Sequence, residues 1–203
     1  SQLMSRDLIT MLYSNEQVDW DAWVREDPAA VDEMLWIAKH LQSWNSVGMP
    51  IWKKETVVDV VVTQDSSPSG VGFRLEEGAR VVIEGHLPFT CDESQLDHVH
   101  REMLGLVYVF LVHGRSLVDR QVQVRVDSMS TVKYVRDKGG GSRVMNYLVK
   151  KLWAVAIRLR ISIVLVSHIS GVEMVRVGVD GLSRPVAPPL LSEGDREGWQ
   201  VAP

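Results

Sequence analysis

The sequence predicts an α/β domain built on a mixed five-stranded sheet with helices on both faces. Three observations predict it. A nearly all-β-branched run over 56–63 is followed by two further strand-length runs, which makes a three-stranded antiparallel meander. Two later strand patterns, over 122–126 and 161–167, alternate with helical periodicity, as crossover units do. The resulting element order is β-β-β-α-β-α-α-β-α, with an additional helical arm in front.

The arm occupies the first 50 residues. Asp27 and Pro28 suit a helix start, as cap and first-turn residue, and Val31, Met34, Leu35, Ala38 and Leu41 recur at helical spacing. Trp36 and Trp44 add apolar bulk, and Gly48 and Pro50 end the element. The first strand, 56–63, reads as buried on both faces, and 65–70 reads as a polar turn. Strands over 71–75 and 80–86 follow, joined at Glu77-Gly78. Leu96, Val99, Met103, Leu106, Val107, Phe110 and Leu111 repeat at three and four, which predicts a helix closed by Gly114. In the fourth strand apolar residues alternate with Gln123 and Arg125. Helices over 128–138 and 142–159 are split by Gly139, Gly140 and Gly141. A fifth strand over 161–167 and a short helix over 173–182 complete the domain. Pro, Gly and charge dominate from Pro185 on, the composition of a mobile tail. The expected boundaries are thus an acidic arm at 1–52, a catalytic-type domain at 53–184 and a tail at 185–203.

Composition narrows the function classes. The chain has 203 residues, 45% hydrophobic and 24% charged, which excludes a disordered or collagen-like chain. No uninterrupted apolar stretch is long enough to span a bilayer, so no membrane partner is expected. One cysteine, Cys91, cannot form an internal disulfide, which points to a reducing, intracellular compartment, cytoplasm or nucleus. The mixed, acidic opening (Asp7, Glu16, Asp19) does not read as a secretory leader, and a first residue of Ser reads as a fragment or a tag remnant. Net charge is −4, against a uniformly basic nucleic-acid binder. Its distribution is uneven: residues 1–50 carry −5 and residues 128–160 carry +7. The second figure is enough to attract a polyanion locally, and equally describes a solvated helical face.

Four carboxylates stand out by location. Asp65 follows a central strand, Asp127 ends the fourth strand, Glu102 shares a stripe with Val99, Leu106 and Val109, and Asp180 lies beside Leu182 in the last helix. A carboxylate on an apolar face is costly unless it is paired or bound to a metal. Four of them converging on one sheet edge repel each other, and a pair of divalent cations removes the repulsion. Oxygen-only donors suit Mg²⁺ or Mn²⁺, and two such ions about 4 Å apart suit phosphodiester hydrolysis. Taken singly, each acid also has an ordinary use: Asp65 in a turn, Asp127 as a helix cap, Glu102 solvated, Asp180 on the surface.

The chain resembles the ribonuclease H domain of retroelement polyproteins, and within that group the tyrosine-recombinase (DIRS-type) retrotransposons. The resemblance is carried by Asp65-Ser-Ser-Pro-Ser-Gly-Val-Gly72, Arg101-Glu102-Met-Leu104, Val124-Arg-Val-Asp127-Ser-Met-Ser-Thr-Val132, Gly139-Gly-Gly-Ser142, and His168-Ile-Ser-Gly171 leading to Asp180-Gly-Leu-Ser-Arg184. It covers about residues 57 to 184, and the upstream Trp36 to Ile51 is similar to the segment joining thumb to ribonuclease H in such elements.

It implies a four-acid site for two Mg²⁺ (or Mn²⁺) ions. Asp65 would bridge both ions, Glu102 and Asp127 would complete one coordination sphere, and Asp180 would hold the second ion. The implied reaction cuts the RNA strand of an RNA–DNA hybrid, leaving a 5′-phosphate and a 3′-hydroxyl. The implied partner is a polymerase domain of the same polyprotein. The chain departs from the commoner pattern around the fourth acid. Arg176 and Val179 stand near the usual Asn and Ala, and the spacing from His168 to Asp180 is about two residues longer.

Other residues carry two readings. His168 is either a turn residue after strand five or an aid to product release. Gly140, Gly141 and Ser142 could seat a backbone phosphate on amides and a helix dipole, or form a hinge. Lys138, Arg143 and Lys150 are the neighbouring cations, Ser128 follows Asp127 directly, and Trp153 is the best-placed aromatic to touch the nucleic acid. Trp20, Trp23, Trp36 and Trp44 repeat at near-helical intervals and suit packing. Cys91, His98 and His100 match no tight structural zinc spacing. Two alternatives to the nuclease remain. One is an inactive retroelement-derived domain kept for nucleic-acid binding or protein interaction. The other is a DNA-cutting nuclease of the same fold.

Overall fold

The computed structural model describes residues 28–45 and 57–184. The chain divides into two units, Ser1–Glu55 and Thr56–Pro203. Expectations for Trp20, Trp23, the turn at 46–50 and the tail at 185–203 fall outside the described residues, as does the Trp44 side chain.

In the first unit the described element is α1 (Pro28–Asn45). Pro28 stands at its first position, where the missing N–H costs nothing. Ala30 is buried, whereas Met34 and Leu35, from the expected apolar stripe, are exposed.

The second unit is built on one sheet. Its strands are β1 (Val60–Ser67), β2 (Gly70–Glu77), β3 (Arg80–Pro88), β4 (Gln121–Val126) and β5 (Ser162–His168). They lie in the order β3-β2-β1-β4-β5. The pairs β1–β2 and β2–β3 are antiparallel, and β1–β4 and β4–β5 are parallel. The meander and crossovers expected from the sequence are therefore present, with β1 at the centre. The helices are α2 (Cys91–Ser94), α3 (His98–His113), α4 (Met129–Arg136), α5 (Arg143–Arg158), α6 (Gly171–Arg176) and α7 (Val179–Ser183). A 3₁₀ turn, Gly114–Leu117, follows α3. Among the described residues, no helix is long and apolar enough to cross a membrane.

The core lies between the sheet and α3 with α5. Met103, Leu106 and Phe110 on α3 are fully buried, as are Val62 on β1 and Val122, Val124 and Val126 on β4. Met145, Val149, Leu152 and Ala156 form the inner stripe of α5 at three- and four-residue intervals. Each such large side chain contributes roughly 1.5–3 kcal/mol by leaving water.

Two local expectations are corrected. The first strand does not stop at Thr63. It runs through Ser67, so Asp65 lies inside β1, opposite Gly72, and not in a turn. The polar run survives in the sheet because its side chains find partners on helices distant in sequence. Gly114 caps the end of α3 as expected, and its φ of −57° leads into the 3₁₀ turn. The last helix is two helices, broken at Gly178, whose φ of +79° is the left-handed region that glycine enters without strain.

Candidate active site

β1 presents its polar residues alternately to two helices. Gln64 and Ser66 face α3: the Gln64 Nε2 donates to Glu102 Oε2 at 3.0 Å, and the Ser66 amide donates to Glu102 Oε1 at 2.9 Å. Asp65 and Ser67 meet α7 instead. Ser183 Oγ donates to Asp65 Oδ2 at 2.6 Å, and Ser67 Oγ donates to the Ser183 carbonyl. This is the period-two alternation of a strand, applied to polar side chains. Glu102 is completely buried and Asp65 nearly so.

Asp127 follows β4 directly. Its Oδ1 is buried and has no hydrogen-bond partner. Ser128, the next residue, caps α4 through a bond from the Thr131 amide. Asp127 is thus held at the mouth between a strand end and a helix start, with one oxygen aimed at nothing in the protein. Asp180, on α7, forms a 3.2 Å ion pair with Arg184.

The acids feel one another. Burial, then the charges of Asp127 and Asp65, push the Glu102 carboxyl up to about 9, against bonds from Ser66 and Gln64 that favour the charged form. Asp65 is also raised, by burial first and then by Asp127 and Asp180, with Ser183 opposing. Asp65 therefore lies within electrostatic reach of Asp127 and Asp180, and Glu102 within reach of Asp127 and Asp65.

Donor convergence is narrower than the four-acid expectation. Among the described residues, a group that could hold a metal ion consists of His98, Glu102 and Asp127, with one donor atom from each, all within 4.8 Å. Asp65 and Asp180 are not in that group. His98 is absent from the sequence-based site. Its signal was available, because it precedes Glu102 by four positions on one helix and therefore shares its face. The chemistry fits a divalent cation: an orphaned buried carboxylate oxygen, a carboxyl whose ionisation its neighbours suppress, and an imidazole.

His168 ends β5, pairs in register with Val126, the residue before Asp127, and is exposed. At the glycine run, Asn146 Oδ1 accepts from the Gly140 amide at 2.7 Å, and Asn146 Nδ2 donates to the Gly140 carbonyl at 2.9 Å. The Ser142 amide donates to Tyr134 Oη at 2.8 Å. Ser142 Oγ caps α5. Two of the amides considered for a phosphate thus have partners inside the protein, and Gly141 stands exposed. Lys138 lies over the Trp153 ring, 5.3 Å from its centroid, and the Trp153 Nε1 is buried. Arg143 is exposed at the start of α5, and Lys150 is half-buried two turns further along.

An open cleft of about 510 Å³ lies between the start of α3 and the α4–α5 connection, lined by Asp97, His98, His100, Ser130, Tyr134 and Ser142. His98 is common to this cleft and to the converging donors, so the cleft adjoins the carboxylates.

The fold has relatives among solved structures. The N-terminal RNase H domain of a Mycobacterium tuberculosis protein superposes with a TM-score of 0.50 at 16% identity, over 62% of this chain and 91% of its own. RNase H1 from Halobacterium salinarum gives 0.47 at 16% identity, over 61% and 92%. The prototype foamy virus protease–reverse transcriptase gives 0.39 at 9% identity, over 84% of this chain and 21% of the viral one. No protein-family model matches the chain, and no curated protein matches it. The mixed sheet, its strand order and its flanking helices are those of the RNase H fold.

Proposed function

We propose that this chain is a metal-dependent endonuclease that cuts the RNA strand of RNA–DNA hybrids. The observation that carries the reading is the buried carboxylate group. Glu102 is fully buried with its ionisation opposed by Asp127 and Asp65, while Asp127 keeps a buried oxygen without a partner. A structural core has no use for such an arrangement, and a cation resolves it.

In this reading Asp65, Glu102, Asp127 and Asp180 would together hold two divalent cations, Mg²⁺ or Mn²⁺. When bound, the ions supply an activated water and charge neutralisation at the leaving oxygen. The protein supplies position. The Ser66 amide and Gln64 fix both oxygens of Glu102, Ser183 fixes one oxygen of Asp65, and the start of α4 fixes the backbone of Asp127. Arg143, Lys138 and Lys150 would meet phosphates of the hybrid, with Gly141 as the close backbone approach. His168, exposed at the end of β5, would act on the leaving product. Recognition through phosphates and 2′-hydroxyls needs no base-edge reading.

The wider context belongs to the same proposal. The domain would run over 53–184 behind an acidic connection at 1–52, with a tail after it, and would follow the polymerase of a DIRS-type retroelement polyprotein inside the cell. The Arg184 ion pair on Asp180 favours one second reading, a domain that binds hybrid without cutting it.

The deciding experiment incubates the chain with an end-labelled RNA–DNA hybrid and Mg²⁺ or Mn²⁺, beside Asp127→Asn. Metal-dependent RNA cleavage lost in the variant supports the nuclease. Retention of hybrid on the protein without cleavage supports the second reading.

A further inference from the structure

The donors that converge at the site are not all oxygens. His98 opens α3 and stands one turn before Glu102, so the two side chains lie on one face. Its Nδ1 is 4.0 Å from Glu102 Oε1. With Asp127 the three donors fall within 4.8 Å of one another. On an octahedral ion with bonds of about 2.1 Å, neighbouring donors are about 3 Å apart and opposite ones about 4.2 Å. The three side chains therefore need only small rotations to close on one ion.

The surroundings favour closure. Asp127 Oδ1 is buried and lacks a partner. Glu102 is fully buried and anchored by Ser66 and Gln64. The His98 side chain is 58% exposed on the cleft wall, with room to turn inward. The neighbouring imidazole, His100, is engaged by Asp97 and points to a different partner. Asp65, bonded through Oδ2 to Ser183, is not among the three converging donors.

The geometry points to a mixed nitrogen–oxygen cation site, His98–Glu102–Asp127, that selects a transition-metal dication, Zn²⁺ or Mn²⁺, over Mg²⁺. The site deepens the nuclease reading, on which it rests for the use made of the ion. The selectivity follows from ligand chemistry. Mg²⁺ demands oxygen donors and sheds water reluctantly, whereas an imidazole adds most to the affinity of Zn²⁺ and some to that of Mn²⁺. The sequence pattern of four acids gives no such preference; the imidazole does.

The test uses the whole chain, freed of metal, titrated calorimetrically with ZnCl₂, MnCl₂ and MgCl₂ in separate runs. Wild type is compared with His98→Gln and His100→Gln. Expected affinities fall in the order Zn²⁺, Mn²⁺, Mg²⁺. His98→Gln weakens Zn²⁺ and Mn²⁺ on the order of tenfold and leaves Mg²⁺ within about twofold. His100→Gln leaves all three unchanged. Pulsed electron paramagnetic resonance of bound Mn²⁺ shows a directly coordinated nitrogen that disappears in His98→Gln. Circular dichroism of the metal-free variants checks that both fold. Equal losses for all three metals, no binding by any, or bound Mn²⁺ without nitrogen coupling overturn the site. In that last case, Mg²⁺-dependent cleavage of a hybrid would leave the carboxylate nuclease standing alone. Nitrogen-coupled Mn²⁺ in a chain that cuts no hybrid would keep the site and remove the nuclease.

Discussion

Ser183 Oγ donates a 2.6 Å hydrogen bond to Asp65 Oδ2, joining the last helix to the central strand across 118 positions of sequence. The contact is reinforced from both sides. The Ser183 carbonyl accepts from Ser67 Oγ and from Ser69 Oγ, and the His86 ring donates through Nδ1 to the Leu182 carbonyl at 2.9 Å. A helix of five residues has little stability of its own, so these bonds are what seat α7, and with it Asp180, against β1 and β2.

Ser183→Ala therefore acts on Asp65 as well as on stability. The bond favours the charged carboxylate, opposing the burial that raises it. Its loss lets the Asp65 pKa climb further, so the acid limb of the cleavage pH profile moves to higher pH. Losing a buried bond to a carboxylate costs about 1–3 kcal/mol in a urea melt. The Mg²⁺ concentration for half-maximal cleavage rises with it. A variant with lowered stability but an unmoved acid limb would reduce Ser183 to a structural residue.

Glu102 makes the metal-free protein sensitive to pH in a defined direction. Its carboxyl is raised from an ordinary 4.5 to about 9 in the folded state. The folded protein therefore holds a proton that the unfolded chain releases near 4.5. This stability is complete below about pH 4.5 and is lost as pH rises through about 9, with an upper bound of roughly 6 kcal/mol. His86 and His113 are lowered by burial and act oppositely, losing stability as pH falls below about 6.5. Comparing wild type with Glu102→Gln cancels the histidines. In chelator, the variant gains on wild type between about pH 5 and pH 9, and saturating Mg²⁺ narrows the gap by stabilising wild type. Parallel stability curves for the two proteins would contradict the buried proton.

How legible this was in the sequence varied with how local the cause is. Alternation in β4 and the stripe of α5 were readable because one buried face sets them. The extension of β1 through Asp65, Ser66 and Ser67 was not, since that run has turn composition and its partners come from α3 and α7, far along the chain. The break at Gly178 depends on a single left-handed glycine inside an otherwise helical pattern. Two further features have purely local causes. Thr90 and Glu93 form a capping box that starts α2, and His98 stands four residues before Glu102. The four acids could be picked by residue type and position, but which donors converge depends on side-chain partners such as Ser183 that no spacing rule reveals.

Gly72 tests the seating of α7 from the opposite side. It pairs with Asp65 in the ladder, and a Cβ there would lie 2.3 Å from the Ser183 amide nitrogen and 2.6 Å from the Val179 carbonyl oxygen. Those are backbone atoms, so the helix itself has to move. Gly72→Ala should cost about 1–3 kcal/mol by overpacking. Because the shift displaces Ser183 and Asp180 together, cleavage should fall by more than the melt explains, measured at a temperature where the variant is fully folded. Gly171→Ala, with nothing within 4 Å of the added carbon, is the silent comparison for packing. Wild-type stability and rate in Gly72→Ala would mean that α7 is not held at this distance.

The glycine connection separates two ways of binding a hybrid. Asn146 brackets Gly140 and Tyr134 holds the Ser142 amide, so those groups are committed within the protein, while Arg143 at the start of α5 is exposed. Phosphate contact through Arg143 predicts a specific salt response. Arg143→Ala should weaken hybrid binding and flatten the slope of log affinity against log salt by about one unit, with little dependence on hybrid sequence. Asn146→Ala should behave differently. It frees the Gly140 amide, speeds hydrogen exchange over 139–142, and lowers affinity through loss of order, leaving the salt slope near that of wild type. Fluorescence anisotropy of a labelled hybrid across a salt series reads both. If Asn146→Ala flattens the slope and Arg143→Ala does not, the phosphate is held by the loop and not by the arginine.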